Sequence, residues 1–277
     1  MKSKKSTLIL LACFFIGLSV LLYPSISSYW NSKTQTKAIV DYEGMLARIK
    51  AEDYTAYFEA AEAYNEKLYQ LDKPFVDYDQ VDGYWSTLDI NGTGMMGYLT
   101  VPKINQELPL YHGTSESVLA VAVGHFQGSS LPVGGTNTHS VVSAHRGLPT
   151  AVLFTYLDRM EIGDTFHFTI LDRQITYEVD QVRIVDPDDL SLIRIEEGDD
   201  YCTLITCTPY GINSHRLLVR GRRLDTTQNR NIYIANEAYR VDTLVVMPIV
   251  ALPMLAVFMI YVMIKPVKKE DLGEDLP

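Results

Sequence analysis

Cys207 is the side chain in this sequence with the clearest potential for chemistry. It ends an apolar, β-branched run, Tyr201-Cys-Thr-Leu-Ile-Thr-Cys207, and Thr208-Pro-Tyr-Gly211 follows. Proline and glycine at these positions end a strand, so the thiol is expected at a strand end that faces a turn, where a substrate can reach it. The alternative is a buried cysteine that acts as a small hydrophobic residue, the usual fate of a free cysteine.

A nucleophilic cysteine needs a base or a proton shuttle, and histidine is the usual one. Among the six histidines of the chain, His145 follows the strand-like run Ser140-Val-Val-Ser-Ala144 and precedes Arg146 and Gly147. Its small neighbours leave room for a ligand, which favours His145 over the others. The alternative for each histidine is a surface residue or a hydrogen-bonded core residue.

Acyl chemistry at a thiol also needs a group that stabilises an oxyanion. Arg216 opens the next strand-like run, and a hairpin between Cys207 and Arg216 would set the two side by side. A guanidinium is suitable because its planar fork donates several hydrogen bonds and stays charged. The alternative is a surface arginine at a strand edge.

The cysteine spacing argues against a disulfide and against a metal site. Cys202 and Cys207 are separated by an odd number of residues, so on one strand their side chains point to opposite faces. Two cysteines without a Cys-x-x-Cys spacing also do not form a typical zinc site. We therefore expect no metal site at these cysteines.

Two apolar runs define how the chain meets a membrane. Residues 8–23 are almost wholly apolar and follow Lys2, Lys4 and Lys5, and residues 244–264 are uncharged and precede Lys265, Lys268 and Lys269. Lysines at the outer end of both runs place both termini in the cytoplasm and the residues between them outside the cell. Residues 1–30 are an anchor or a cleaved signal peptide, 244–264 a transmembrane helix, and 265–277 a cytoplasmic tail.

The outer part of the chain changes character near residue 94. Residues 31–93 form a helical lead-in, expected to contain one or two amphipathic helices, and end in a loop. Residues 94–225 hold short strand-like runs typical of a sandwich or a closed barrel, and 226–243 are a linker. The predicted strands are Met96–Ile104, Leu108–Tyr111, Ser140–Ser143, Thr165–Leu171, Gln174–Val185, Tyr201–Cys207 and Arg216–Val219, with short helices near Ser115–Val123 and Val152–Met160.

Composition excludes several classes of protein. A formal net charge of −10 argues against nucleic-acid binding, and the stretch 6–264 is more acidic still, with 18 basic and 30 acidic residues. Charged residues at 21% and aromatic residues at 10% exclude a disordered chain. Three cysteines exclude a disulfide scaffold.

Several motifs in order resemble the sortases of Gram-positive bacteria. Thr203-Leu-Ile-Thr-Cys207 with the downstream Arg216 is similar to the sortase Thr-Leu-x-Thr-Cys signature, and Ser143-Ala-His145-Arg-Gly147 is similar to the sortase histidine motif. Gly97-Tyr-Leu-Thr-Val-Pro-Lys-Ile104, Leu110-Tyr-His-Gly113 and Gly128-Ser-Ser-Leu-Pro-Val-Gly134 extend the resemblance to the pilin-polymerising class C.

The resemblance implies a mostly β fold, a closed eight-stranded barrel with N-terminal amphipathic helices and two flanking transmembrane segments. It implies a monomeric cysteine transpeptidase of the cell membrane that needs no cofactor. Cys207 would cleave a Leu-Pro-x-Thr-Gly sorting signal between Thr and Gly, with His145 as general acid and base and Arg216 on the oxyanion. A pilin lysine would then resolve the thioester.

One loop departs from the class C pattern. Class C sortases usually carry an Asp-Pro-aromatic lid, whereas this loop has Lys73-Pro74-Phe75, Asp77-Tyr78 and Asp82-Gly-Tyr-Trp85. Asp77 and Tyr78, or alternatively Phe75 or Trp85, would serve as a substitute lid. The other interpretation is a surface loop without a regulatory contact.

Two other functions fit parts of the sequence. One is a housekeeping sortase that attaches proteins to peptidoglycan, but the C-terminal apolar run and the long helical lead-in favour the pilin type. The other is a non-enzymatic, membrane-anchored β-domain in which Cys207 is buried.

Overall fold

The computed structural model describes residues 4–49, 51–90 and 92–224, together with positions 253, 254 and 257. The chain divides into two compact units, Met1–Ile26 with Asn236–Pro277, and Ser27–Ala235. The predicted linker 226–243 and tail 265–277 lie outside the described residues. So does the predicted membrane run 244–264, apart from those three positions.

The N-terminal helix α1, Lys4–Leu46, continues through position 30, where the sequence suggested a boundary. No proline follows Pro24 within α1 and Gly44 is the single glycine after it, so nothing in the sequence breaks the helix there. Among the described residues, one stretch, Leu11–Leu46, is long and apolar enough to cross a membrane. It lies near the N-terminus, where a signal sequence passes the same test.

The second helix, α2, spans Ala51–Tyr69 and packs one face on the β-domain. Phe58, Ala61, Tyr64 and Leu68 form its buried stripe, with the three- and four-residue spacing of an amphipathic helix. The amide of Asn65 donates to the Leu131 carbonyl (3.1 Å) and accepts from the Leu131 amide (2.7 Å). The amphipathic helices expected between residues 31 and 93 thus correspond to the C-terminal part of α1 and to the whole of α2.

Eight strands form a closed barrel in the order β1-β2-β3-β4-β7-β8-β6-β5. All neighbours are antiparallel except β2–β3 and β4–β7, which are parallel. The helix α3 is Pro74–Asp77 and α4 is Glu116–Leu119. The strands are β1 Met95–Val101, β2 Gln106–His112, β3 Val123–His125, β4 Thr138–Ser143, β5 Thr165–Ile170, β6 Arg173–Val185, β7 Asp200–Thr208 and β8 His215–Arg223.

The barrel matches the expected fold, with local differences from the predicted elements. The first strand ends at Val101 rather than Ile104, because Pro102 has no amide to donate and a 3-10 turn, Pro102–Ile104, begins there. The three-residue β3 was not predicted, and the stretch expected to be helical near Val152–Met160 contains a single 3-10 turn, Leu157–Arg159.

Alternation along β4, β7 and β8 gives these strands two apolar faces. Val142, Leu204 and Leu217 belong to the main core inside the barrel. Their neighbours form a second cluster on the opposite face of the same strands, which we call the outer-face cluster. Its buried members are Val141, Ile193, Ile205 and Leu218.

Candidate active site

Cys207 and Arg216 are direct partners in the β7–β8 ladder. Partners opposite each other in an antiparallel pair point to the same face, so the thiol and the guanidinium lie side by side, as the hairpin interpretation predicted. Cys207 is a free, half-buried cysteine. Ile205 and Leu218 lie two residues away on the two strands, so this face is also that of the outer-face cluster.

The turn between β7 and β8 holds Arg216 in place. The amides of Ile212 and Asn213 donate to the Pro209 carbonyl at 3.1 and 2.9 Å, which closes the turn. Arg216 Nη1 donates to the carbonyl oxygens of Asn213 (3.2 Å) and His215 (3.1 Å). These bonds hold one end of a guanidinium that has five donors in all.

The parallel pairing of β4 with β7 positions the loop that carries His145. Ser143 is the partner of Ile205, and the Ala144 amide donates to the Ile205 carbonyl at 3.2 Å. Thr206 Oγ1 donates to the Ala144 carbonyl at 2.8 Å, a bond buried in the core. The register therefore places the start of the loop that carries His145 beside the last part of β7, which contains Cys207.

The imidazole of His145 has an exposed carboxylate as its neighbour. Glu116 Oε1, at the start of α4, lies 3.5 Å from His145 Nε2, and this nitrogen is buried without a hydrogen-bond partner. Nothing in the residue pattern connects Glu116 with His145, because the strand order that brings them together is not visible in the sequence.

Cys202, His125 and His139 are buried in ways that make them unsuited to act as the nucleophile or the base. Cys202 lies inside the barrel, and burial raises the pKa of its thiol well above the usual value. Burial lowers the pKa of His125 and of His139 to about 4. His139 Nδ1 donates to the Arg194 carbonyl (2.8 Å), and its Nε2 accepts from the Thr203 hydroxyl (2.7 Å).

The geometry around Cys207 can be compared with that of known proteins. A model of the sortase domain matches residues 99–224 of the chain. The solved sortase C1 of Streptococcus agalactiae is 47% identical, with a TM-score of 0.63, and the match covers 68% of this chain and 98% of that one. The chain belongs to the class C sortases. This family consists of cysteine transpeptidases, in agreement with the resemblance seen in the sequence.

Other sortases show the same relationship. The solved sortase C of Streptococcus pneumoniae, described as providing insight into catalysis and pilin substrate specificity, is 43% identical to this sortase, with a TM-score of 0.62. The match covers 68% of this chain and 97% of that one. Sortase D of Bacillus subtilis is 34% identical over 131 residues, 46% of this chain, and this sortase spans 63% of its length.

The lid candidates of the sortase lie on different surfaces. Phe75 packs on the outer-face cluster and meets the Phe126 ring edge-on at 5.8 Å. Tyr78 packs against the main core, and Trp85, 60% exposed, lies against Tyr84 and His112. Asp77 ends α3. Of these candidates, the structure brings only Phe75 into the cluster beside Cys207.

Gly128 allows the segment around Phe75 to pack closely against the strand connection that follows β3. A Cβ at Gly128 would come within 2.8 Å of the Pro74 carbonyl oxygen and 2.9 Å of Phe75 Cα. The absence of a side chain at Gly128 therefore lets the loop lie directly on the strand connection after β3.

In the described part of the chain, no carboxylate lies within ion-pair distance of Arg216, and no group of three or more potential ligands could hold a metal.

Proposed function

We propose that this sortase is a membrane-anchored, extracellular transpeptidase that joins pilin subunits through lysine isopeptide bonds. The observation that supports the proposal is the register that pairs Cys207 with Arg216, together with the β4–β7 pairing that ends just before His145. The apolar part of α1 provides a membrane anchor.

The first half of the reaction forms a thioester. The Cys207 thiolate attacks the threonine carbonyl carbon of a Leu-Pro-x-Thr-Gly sorting signal, and Arg216 donates hydrogen bonds to the oxyanion. Collapse of this intermediate breaks the Thr–Gly bond. Protonated His145 gives its proton to the leaving glycine nitrogen and becomes neutral.

The second half transfers the acyl group to a lysine. The neutral amine of a pilin lysine attacks the thioester carbonyl, its surplus proton goes to neutral His145, and the Cys207 thiolate leaves. The amide bond to glycine is thus exchanged for an amide bond to lysine. Because the thioester retains the energy of the broken peptide bond, the reaction needs no nucleotide.

The outer-face cluster supplies a place for the sorting signal. Ile205 precedes Cys207 by two residues, and Leu218 follows Arg216 by two residues. An extended peptide that reaches Cys207 therefore also crosses apolar side chains. A leucine and a proline fit such a surface, and burial of apolar area drives their binding. Phe75, which packs there in the structure, must move aside for the peptide.

The test uses purified full-length protein in detergent with a synthetic Leu-Pro-x-Thr-Gly peptide. Cys207→Ala should abolish the acyl-enzyme detected by mass spectrometry and the polymer ladders in cells, with an unchanged circular dichroism spectrum. Cys13→Ala, in the exposed part of α1, is the matched control and should retain both activities. An acyl-enzyme in the Cys207→Ala variant would overturn the assignment.

The housekeeping alternative predicts a different acceptor. With the acyl-enzyme formed, a protein lysine and an amine that imitates a cell-wall cross-bridge, such as triglycine, are offered separately. Faster resolution by the lysine supports pilus assembly, whereas faster resolution by triglycine would assign the protein to cell-wall attachment.

A further inference from the structure

Asn31 and Gln35 are polar residues on the face of α1 that packs on the barrel. They are four residues apart, and the buried side chains of Ile39 and Tyr42 continue the same stripe. All four belong to the unit Ser27–Ala235, which contains the barrel. Polar groups on a buried face need hydrogen-bond partners, so the partners of these two amides show what this part of α1 holds.

Each amide donates to a backbone carbonyl in a different segment beside the site. Asn31 Nδ2 donates to the Thr150 carbonyl at 2.8 Å, and Gln35 Nε2 donates to the Val121 carbonyl at 2.7 Å. Thr150 lies in the loop that carries His145, and Val121 lies in the turn that follows α4. One face of α1 therefore holds both of these segments.

The loop that carries His145 is closed by its own hydrogen bonds. The Phe154 amide donates to the His145 carbonyl at 3.2 Å, and the Gly147 amide donates to Thr155 Oγ1 at 3.2 Å. Thr150 lies between these two closures. Because the loop is tied together on both sides of Thr150, the bond from α1 also restrains the backbone of His145.

The segment from α4 to the next strand is held in the same manner. The Ala120 amide donates to the Glu116 carbonyl at 3.0 Å, and the Val121 amide donates to the Val118 carbonyl at 3.1 Å. These turns run without a break from Glu116 to the residue that Gln35 holds. The bond from Gln35 therefore restrains the backbone of Glu116.

The two restrained segments meet at the imidazole of His145. Glu116 Oε1 lies 3.5 Å from Nε2, which is buried without a hydrogen-bond partner. The side chain of Glu116 is 86% exposed, so its charge alone would fix little, and its position depends on the backbone beneath it. Of the other charged groups nearby, Arg146 is paired with Asp158 at 2.6 Å, and Arg216 is held by the turn between β7 and β8.

We infer that Glu116 is a positioning residue for His145, and that Asn31 and Gln35 hold the two together. The Glu116 carboxylate accepts from Nε2–H, and a bond at one ring nitrogen decides which nitrogen is free to exchange a proton. Nε2 keeps its proton throughout, while Nδ1 gives its proton to the leaving glycine nitrogen and later takes one from the lysine amine. The inference rests on the proposed transpeptidation and adds to it the roles of the two nitrogens.

The first measurement does not depend on activity. In full-length protein with ¹⁵N-labelled histidine, the ring shifts of His145, assigned with His145→Gln, report which nitrogen carries the proton. At about pH 8.5, where an imidazole is neutral, we expect the Nε2–H tautomer. Glu116→Ala should give a mixture of tautomers. Glu197→Ala is the control and should give the wild-type spectrum, because Glu197 is an exposed glutamate in the turn before β7. A wild-type ring protonated mainly at Nδ1, or an unchanged spectrum in Glu116→Ala, would overturn the inference.

The second measurement is the rate of acyl-enzyme formation with a sorting-signal peptide, expressed per reactive Cys207 thiol. Glu116→Ala should lower kcat about fivefold and leave KM unchanged, as expected for loss of an exposed ion pair that acts in the transition state. Glu116→Gln should recover most of the rate, because its amide oxygen still accepts from Nε2–H. Equal rates in the wild type and Glu116→Ala contradict the inference, and so do equal losses in the alanine and glutamine variants.

The hold from α1 is tested with the double variant Asn31→Leu and Gln35→Met, which keeps the approximate shape of both side chains and removes both donors. It should reproduce the tautomer mixture and the loss of kcat seen in Glu116→Ala. Lys37→Met, on the exposed face of α1, is the control and should match the wild type. A double variant with the wild-type spectrum and kcat would refute the role of α1. Absence of an acyl-enzyme in the wild type would instead overturn the proposed function, whereas the tautomer measurement would still decide the role of Glu116.

Discussion

Gly147 lies against the ring of Tyr210, so that a Cβ at position 147 would come within 2.9 Å of the ring carbon Cε2. The contact joins the loop that carries His145 to the turn that follows Cys207. Arg146 adds to this junction, since its guanidinium lies 5.9 Å from the centre of the Tyr210 ring. The close approach of the loop of His145 to the turn after Cys207 therefore depends on a glycine.

Gly147→Ala should lower both stability and activity. Gly147 and Gly211 have nearly the same φ, +77° and +76°, but a Cβ at Gly211 would meet nothing within 4 Å. Gly211→Ala should therefore cost only the backbone strain of about 1 kcal/mol, and Gly147→Ala about 1–3 kcal/mol more because the ring must move. Urea unfolding measures the difference. If Tyr210→Ala does not restore stability to Gly147→Ala, the ring contact is not its cause.

Arg216→Lys should reduce kcat for thioester formation by about 10²–10³-fold, because an ammonium cannot reproduce the guanidinium fork beside Cys207. The KM for the sorting peptide should change little if the interaction forms mainly in the transition state. Arg222→Lys, on the same strand and paired with Asp199, is the control and should retain normal kinetics. Equal losses in the two variants would indicate a structural role for Arg216.

Phe75→Ala should expose the outer-face cluster and speed thiol labelling of Cys207. Loss of the aromatic pair with Phe126 removes ~1 kcal/mol of stabilisation from the closed loop, which raises the population of the open loop about fivefold. Val76→Ala, at a neighbour that is 69% exposed, should leave the rate unchanged. If Asp77 and Tyr78 form the lid, as the first interpretation of the sequence proposed, replacing both with alanine should accelerate the labelling of Cys207. An unchanged rate in every variant favours a plain surface loop.

The stability of the protein should fall between pH 7 and pH 5. His125 and His139 have folded-state pKa values of about 4, whereas an unfolded histidine titrates near 6.5. As the pH falls below about 6.5 the unfolded chain takes up protons that the folded chain does not, which costs on the order of 2 kcal/mol per histidine by pH 5.

Urea unfolding at pH 7 and pH 5 measures this loss. His139→Gln should show a smaller difference between the two pH values than the wild type. His215→Gln should leave the difference between the two pH values unchanged, because the side chain of His215 is 46% exposed. An equal pH dependence in the wild type and His139→Gln would exclude His139 as a source.

The pairing of Cys207 with Arg216 was predictable because the two residues are close in sequence and a short turn sets their register. The position of His145 was not predictable from pattern alone, since it depends on the parallel pairing of β4 with β7, which are separated by two other strands. The family motifs supplied that information. The face of each β6 side chain was also not predictable, because a register shift between Val179 and Gln181 decides which residues of β6 lie opposite Leu217.

The parallel β4–β7 pairing also ties the appearance of enzymatic activity to the completion of folding. Ala144 and Thr206, which join these strands next to the site, are 62 positions apart in the sequence. A chain in which β4 and β7 have not yet paired therefore has Cys207 without the loop of His145 held beside β7. These two segments come together only once the strands between them, β5 and β6, have been accommodated in the barrel.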